Sequence, residues 1–301
     1  VSLSSERFNF VNLEENDVVE SIDQASQLFT GLAKKPPTLE DTLKSMGYEK
    51  AKELAELFTK KAAEKLTELN APGLTVGDIA AIFCYSFEWN DTIRATYGEG
   101  ESPYRVLNNS LSVDRSNAAL KKTRGFLFLL LQALRKLHHF VPENHTLYRG
   151  LRAHVQTEAD PEFPDRKPYA AGNEKTWWTF TSTTTSLEAT RVFLGGREST
   201  LFVVSGNTWG YDISLFSDFP EEKEILVEPE RKLRVTSIIR EGQLITVNAE
   251  TLDTPLILKK IIKVPKRVKA VKSKKSKVKE VPKDFKAEGI TDKAVELSWS
   301  P

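Results

Sequence analysis

The first part of the chain has hydrophobic residues at helical spacing. In ELAELFTKKAAEKLTEL, residues 53–69, leucine and alanine recur every three or four positions, a period typical of an amphipathic α-helix. Upstream, Thr38 is followed three residues later by Asp41. This pair is typical of a helix N-terminus, because each side chain can accept a hydrogen bond from the backbone of the other. We therefore expect a helix to begin close to Thr38.

Further helices are predicted before residue 146. The segment LTVGDIAAIFCYSFEW predicts a helix that begins near Thr75, and a loop is expected to follow from about Tyr97 to Pro103. YRVLNNSLS and KKTRGFLFLLLQALRKLHHF predict two more helices, and the second is apolar enough to lie in a core. The stretch from about residue 15 to residue 145 should be mainly α-helical.

At Thr146 the pattern changes to short runs rich in β-branched and aromatic residues, separated by glycine, proline and acidic turns. The runs are TLYRGLR, TWWTFTSTT, STLFVVSG, EKEILVEP, KLRVTSIIR and QLITVNAE. Residues 146 to about 258 should therefore be mainly β-structure. Because helices and strands are segregated along the chain, the pattern favours the α+β class over an alternating α/β fold.

Charge divides the 301-residue chain into three parts. Residues 259–283 carry +11, and since the whole chain is +1 and residues 284–301 are −2, residues 1–258 carry −8. We predict one domain in residues 1–258, whose acidic balance disfavours nucleic acid as its main ligand. The lysine-rich segment should be a linker, either a solvated spacer or a contact for an anionic surface. Residues 284–301 resemble the truncated start of a fibronectin type III module.

Several kinds of site are disfavoured. Cys84 is the only cysteine, which excludes an intramolecular disulfide and a cysteine zinc site, and its apolar neighbours indicate a buried, inert thiol. The longest apolar stretch, residues 126–134, is shorter than the roughly 20 residues of a transmembrane helix. The four histidines lack the spacing of metal ligands. We therefore expect neither a transmembrane segment nor a metal.

Two polar motifs lie in the β-rich part. Arg149 stands inside an otherwise apolar strand and is followed by Gly150. A guanidinium in this position needs an anion, which could be an internal carboxylate or the pyrophosphate of a ligand. Further along, residues 180–186, FTSTTTS, place several hydroxyl groups at a strand end. They could cap the helix that follows, or Ser182 could orient a neighbouring carboxylate.

A pair of glutamates is the strongest chemical signal. In SLFSDFPEEKEILVEP a turn with Phe219 and Pro220 leads to Glu222 and Glu224. We predict that both stand on one strand, where alternation places their side chains on the same face about 7 Å apart and turns Lys223 away. Like charges this close indicate either an exposed acidic edge strand or a site for a cationic or polar ligand.

Taken in order, these motifs resemble the arginine–serine–glutamate class of ADP-ribosyltransferases, which includes vertebrate ecto-enzymes and clostridial-type actin-modifying toxins. YRG is followed by F-x-S-T about 33 residues later and then by E-x-E before an apolar strand. The resemblance covers roughly residues 74–247. It implies a helical N-terminal part packed on two roughly perpendicular, mainly antiparallel sheets around an NAD cleft. It also implies NAD as substrate, an acceptor protein that presents arginine, and no metal.

The resemblance gives roles to the motif residues. Arg149 would hold the NAD phosphates, and Gly150 would bind the nicotinamide amide through its backbone. Ser182 would orient Glu224, the essential glutamate of the class. Glu222 would be the glutamate that is associated with arginine as acceptor.

Other residues are implied by the same comparison. Those expected to contact NAD are Tyr104, Asn108, Thr183, Phe193 and Arg197. Phe193 would pack on the nicotinamide, and Arg197 would be a second phosphate contact. Tyr104 and Asn108, which lie on a predicted helix, would be near the adenine end. Phe219 would belong to the loop that recognises the acceptor. The chain departs from the class at Thr184, where the S-T-S motif of the class has serine, and at Lys223 in the middle of the glutamate pair. It also has Ser112 where a basic residue often stands.

The implied reaction breaks the N-glycosidic bond of NAD through an oxocarbenium-like transition state. Glu224 would stabilise that charge, and Glu222 would take the proton of the acceptor guanidinium. One alternative is an NAD glycohydrolase, in which water replaces the acceptor. Another is a catalytically inactive module that binds NAD or a partner. A retaining glycosidase is disfavoured, since its carboxylates usually come from separate strands about 5 Å apart.

Overall fold

The computed structural model describes the chain between residues 29 and 252. Within that span the described part has gaps at residues 30, 33, 70, 72, 88, 99, 113–116, 138, 141–145, 162–166, 207–209 and 218. The predicted lysine-rich linker, the fibronectin-like tail and the domain boundary near residue 258 lie outside the described residues and stay predictions.

Seven α-helices lie in the described part of the chain. They are α1 Leu39–Met46, α2 Ala51–Leu69, α3 Val76–Ser86, α4 Asp91–Tyr97, α5 Pro103–Ser112, α6 Asn117–Lys136 and α7 Leu187–Leu194. Capping boxes begin two of them, formed by Thr38 with Asp41 and by Thr75 with Asp78. The helix starts predicted at Thr38 and near Thr75 are confirmed. The hydrophobic pattern does not predict the short α4, which begins at an Asn90 cap.

Nine strands of the described residues form one hydrogen-bonded sheet. They are β1 His139–Phe140, β2 Leu147–Leu151, β3 Glu174–Trp177, β4 Thr181–Thr184, β5 Ser199–Ser205, β6 Gly210–Asp212, β7 Glu224–Val227, β8 Arg231–Glu241 and β9 Leu244–Thr251. Their order is β1-β6-β7-β4-β2-β5-β9-β8-β3, and among these described strands only the β5–β9 pair is parallel. The α+β class is therefore confirmed. The arrangement as two perpendicular sheets stays a prediction. Within the sheet, β2 and β4 are joined by a single residue pair, Tyr148 with Thr184.

One predicted strand is wrong, because TWWTFTSTT forms two strands with different neighbours. β3 pairs with β8 at one edge of the sheet, whereas β4 pairs with β2 and β7 in its interior. Between them, the carbonyl of Phe180 accepts hydrogen bonds from side chains of the helical part. The expected core tryptophan of this segment is Trp177, which is buried.

Two large hydrophobic clusters surround the sheet. The first joins the six N-terminal helices to residues of β6 and β7, and includes Phe58, Ile82, Phe126, Leu130 and Leu226. The second contains residues of β2, β3, β5, β7, β8 and β9, among them Leu147, Trp177, Phe202 and Val247. Burying a large apolar side chain of this kind stabilises the folded state by about 1.5–3 kcal/mol. Cys84 lies in the first cluster, and burial raises the pKa of its thiol, as expected for an inert core cysteine.

A buried polar cluster fastens the end of β7 to the helices. Glu228 follows β7 directly, and one of its carboxylate oxygens accepts a hydrogen bond from the Tyr211 hydroxyl at 2.6 Å. The same oxygen lies 3.5 Å from the Arg135 Nε of α6. Burial raises the pKa of Tyr211, and the neighbouring Glu228 carboxylate raises it further.

None of the described helices is long and apolar enough to cross a membrane.

Candidate active site

The three sequence motifs meet on neighbouring strands. β2, β4 and β7 lie side by side in the sheet, with β4 in the middle. They carry Arg149, Ser182 and Glu224 respectively. Because Ser182 is paired with Leu226, two residues after Glu224, the side chains of Ser182 and Glu224 point to the same face of the sheet.

Ser182 contacts both of the other residues. Its backbone carbonyl accepts a hydrogen bond from Arg149 Nη1 at 3.0 Å, and its hydroxyl donates to Glu224 Oε1 at 2.6 Å. All three side chains are buried. The short distance to an acidic acceptor is typical of a strong, charge-assisted hydrogen bond. The central strand therefore fixes a buried guanidinium and a buried carboxylate relative to each other.

Burial lowers the pKa of the Arg149 guanidinium from its usual value to about 10, and the neighbouring Tyr85, Tyr169, Tyr104 and Glu224 oppose part of that change. The side chain is still a cation at neutral pH. A buried cation beside a carboxylate is suited to an anionic group such as a pyrophosphate, because a guanidinium can bind two of its oxygens at once.

The prediction that Glu222 and Glu224 alternate along one strand is wrong. Residues Pro220–Glu222 form a single 3-10 turn, and Lys223 after it is left-handed, with φ 47° and ψ 48°. Proline favours the first position of such a turn, and the left-handed residue ends the alternation before β7 begins at Glu224. Both glutamates are nevertheless buried, 2% and 1% exposed, which contradicts the exposed acidic edge.

Helices form one wall of the site. The Tyr85 hydroxyl of α3 is 3.5 Å from the Phe180 carbonyl, and Asn108 Nδ2 of α5 donates to both of these oxygens, at 3.2 and 3.3 Å. The Tyr104 ring lies edge-on to Tyr85. Burial raises the pKa of Tyr85, with Glu224 adding to the effect and Arg149 opposing it. The helical wall thus holds the start of β4 next to the buried pair.

On the other side, α7 packs directly against β2. A Cβ atom at Gly150 would lie 2.8 Å from Leu194 Cδ2 and 2.9 Å from Phe193 Cδ1, so only glycine lets the helix approach this closely. Phe193 is buried in a small cluster with Leu194 and Leu201, and the Arg152 guanidinium stacks 4.3 Å from its ring centroid. The implied contact between Phe193 and nicotinamide stays a prediction.

Arg197 and Phe219, two more of the predicted residues, are not buried. Arg197 follows α7 and is exposed. Phe219 is half-buried at the start of the 3-10 turn that carries Glu222, and its backbone N–H donates to Ser217 Oγ. Leu215 in the preceding turn is 54% exposed. The loop before Glu222 therefore presents apolar side chains close to the buried carboxylates in sequence.

The family model for NAD:arginine ADP-ribosyltransferases matches residues 94–254, more than half of the chain and all of the motifs around the buried pair. The chain belongs to this ADP-ribosyltransferase family. The family uses NAD as its substrate, and the resemblance inferred from the motif order is confirmed.

Solved structures resemble the chain at low identity. The ADP-ribosyltransferase Vis of Vibrio splendidus, solved with agmatine, is 23% identical, with 66% of this chain and 86% of Vis covered and a TM-score of 0.45. The type III effector XopAI of Xanthomonas axonopodis pv. citri is 15% identical, covering 77% and 96%, with a TM-score of 0.49. The eukaryotic mono-ADP-ribosyltransferase ART2.2 is 15% identical, covering 84% and 96%, with a TM-score of 0.46. Comparison with curated proteins gives no match.

Sequence reasoning did not single out every residue that shapes the transferase site. Tyr85 is hidden within the apolar segment AAIFCYSF, where a polar aromatic residue was the available signal. Arg152 lies three residues after Arg149, but its stacking on Phe193 depends on the non-local packing of α7 on β2.

Among the described residues of the transferase, no group of three or more His, Cys, Asp or Glu side chains could hold a metal ion.

Proposed function

We propose that the protein transfers ADP-ribose from NAD to an arginine side chain of an acceptor protein and releases nicotinamide. The observation that carries the proposal is the chain of hydrogen bonds from Arg149 through Ser182 to Glu224, with a second buried carboxylate, Glu222, two residues away. The family to which the chain belongs supplies the reaction class, and the second glutamate supports arginine as the acceptor.

Cleavage of NAD uses the buried pair. Arg149 binds the pyrophosphate and holds NAD across the sheet. The N-glycosidic bond breaks, its electron pair leaves with nicotinamide, and positive charge develops on the ribose as an oxocarbenium ion. Glu224, oriented by Ser182, stabilises that charge, because a fixed carboxylate in a buried site interacts strongly with a developing cation.

Transfer uses Glu222. A protonated guanidinium is a poor nucleophile, so the acceptor arginine must lose a proton as one of its nitrogens bonds to C1′ of the ribose. The Glu222 carboxylate binds the incoming guanidinium and takes that proton. Phe219 and the exposed Leu215 of the adjoining loop contact the acceptor protein around its arginine.

The test uses the full chain with labelled NAD and an arginine-rich peptide. We expect label on the peptide together with released nicotinamide. Glu224→Gln should abolish both products, whereas Glu222→Gln should keep nicotinamide release and lose the labelled peptide. Glu221→Gln is the matched control, since this glutamate stands in the same turn but is exposed.

Two other outcomes would replace the proposal. Nicotinamide release by the unaltered protein without label on any arginine peptide would identify an NAD glycohydrolase. NAD binding without nicotinamide release from folded protein would leave only the binding module. In either case transfer to arginine would be refuted.

A further inference from the structure

Two hydroxyl groups of β4 hold the two glutamates separately. Ser182 donates to the Glu224 carboxylate, while the Thr184 hydroxyl donates to the backbone carbonyl of Glu222 at 2.8 Å. The same Thr184 oxygen accepts a hydrogen bond from the Ser186 N–H at 3.0 Å. Thr184 is buried, so its hydroxyl has a fixed direction. One strand therefore contacts both carboxylate-bearing residues through different atoms.

The segment that Thr184 contacts has a strained backbone. Lys223 lies between the glutamates in the left-handed region, with φ 47°, which residues with a Cβ rarely adopt. Inside the turn, the Glu222 N–H donates to the Phe219 carbonyl and the Lys223 N–H to the Pro220 carbonyl. The Thr184 hydroxyl adds a bond from the sheet, at the carbonyl immediately before the left-handed residue. A disfavoured conformation persists only where surrounding contacts hold it.

We propose that Thr184 is a positioning residue for the acceptor step. Its hydroxyl holds the backbone of Glu222 so that this carboxylate stays buried beside Glu224, where it can bind and deprotonate the incoming arginine. This inference rests on the proposed function and deepens it, because it assigns the partition between arginine and water to a residue that contacts neither NAD nor the acceptor. Thr184 is not a catalytic residue in this account.

The separation of the two hydroxyl groups predicts a selective defect. Loss of the Thr184 hydroxyl leaves the Ser182–Glu224 hydrogen bond in place, so nicotinamide release should continue. Glu222 loses its hydrogen bond from β4, so the arginine acceptor is bound and deprotonated less well. The ratio of arginine transfer to nicotinamide release should therefore fall, by about fivefold for a hydrogen bond of the usual net strength.

The chain offers a matched control at Thr200 on β5. The Thr200 hydroxyl donates to the Ala153 carbonyl at 2.8 Å and accepts from the Val155 N–H at 3.1 Å. It is buried, as Thr184 is, and it makes the same two kinds of bond away from the glutamates. Thr200→Val should therefore lower stability as Thr184→Val does and leave the ratio unchanged.

The experiment compares the unaltered full chain with Thr184→Val, Thr184→Ser and Thr200→Val. Each protein is checked by thermal unfolding, and then arginine-peptide labelling and nicotinamide release are measured in the same reaction. We expect the ratio to fall about fivefold in Thr184→Val and to stay within about twofold of the unaltered value in the other two variants. Thr184→Ala replaces the valine variant if the latter does not fold.

The outcomes separate this inference from the proposed function. If the unaltered protein labels arginine but Thr184→Val has the same ratio as Thr200→Val, the positioning role is overturned and the proposed function stands. An equal loss of both products in Thr184→Val would also overturn it, since that is the effect of a general structural defect. If the unaltered protein labels no arginine, the proposed function fails and the acceptor role of Thr184 fails with it.

Discussion

The hydrogen bond between Ser182 and Glu224 gives a quantitative prediction. Ser182→Ala removes a hydroxyl that donates to a buried carboxylate at 2.6 Å, while the backbone pairing of β4 with β7 and the carbonyl that accepts from Arg149 remain. A hydrogen bond to a charged group contributes about 1.5–3 kcal/mol. If the bond supports the transition state in full, NAD cleavage should slow by roughly 10-fold to 150-fold.

The measurement is the initial rate of nicotinamide release at low NAD concentration, which reports kcat/KM. Ser110→Ala serves as the control, because Ser110 is also buried and its hydroxyl donates to the Leu107 carbonyl at 2.7 Å, away from the glutamates. Both variants should lose a similar amount of thermal stability. Only Ser182→Ala should lose the stated part of its rate.

A small effect would refute the reasoning. If kcat/KM of Ser182→Ala stays within about twofold of the unaltered protein, or falls no further than that of Ser110→Ala, the hydrogen bond does not stabilise the transition state. Ser182 would then be a structural residue of β4, and the orientation of Glu224 would need another source.

Two further predictions concern Gly150 and Arg149 of β2. Gly150→Ala should lower the melting temperature by several degrees, because forcing a Cβ into contact with Phe193 and Leu194 costs about 1–3 kcal/mol. The control Gly77→Ala should not lower it, since a Cβ at Gly77 has ordinary space. Equal melting temperatures of the two variants in calorimetry would contradict the tight packing. For Arg149, with a pKa lowered to about 10, the charged form is lost as pH rises through that value. NAD affinity measured by titration calorimetry should therefore be steady near neutral pH and weaken above about pH 10, and an affinity unchanged there would argue against a phosphate contact.

Local chemistry made part of the fold predictable. The Thr75–Asp78 capping box needs only four consecutive residues, and the alternation of β8 and β9 is visible because each strand is long enough to show its period. The division of TWWTFTSTT could not be read in this way. Its β-forming residues continue across Trp178, and the break depends on pairing with strands that are distant in sequence.

The candidate site was predictable in its members more than in its geometry. Arg149, Ser182 and Glu224 were found by motif order, but the bonds between them depend on the placement of β4 between β2 and β7. Glu222 was assigned to a strand because nothing in the residue type of Lys223 indicates a left-handed conformation. Lys223 directly follows the turn from Pro220, and the carbonyl before it accepts a hydrogen bond from Thr184. Thr184 is distant in sequence, so this second contact requires the tertiary structure.

β7 has only four residues, yet a buried glutamate is bound at each end of it. Glu224 meets the Ser182 hydroxyl at its start, and Glu228 meets Tyr211 and Arg135 just beyond its end. A slip of two residues would keep the alternation of side chains but would separate both carboxylates from these partners, and an unpaired buried charge is very costly. The glutamates at the two ends of this short strand therefore favour its native register over the nearest alternative register.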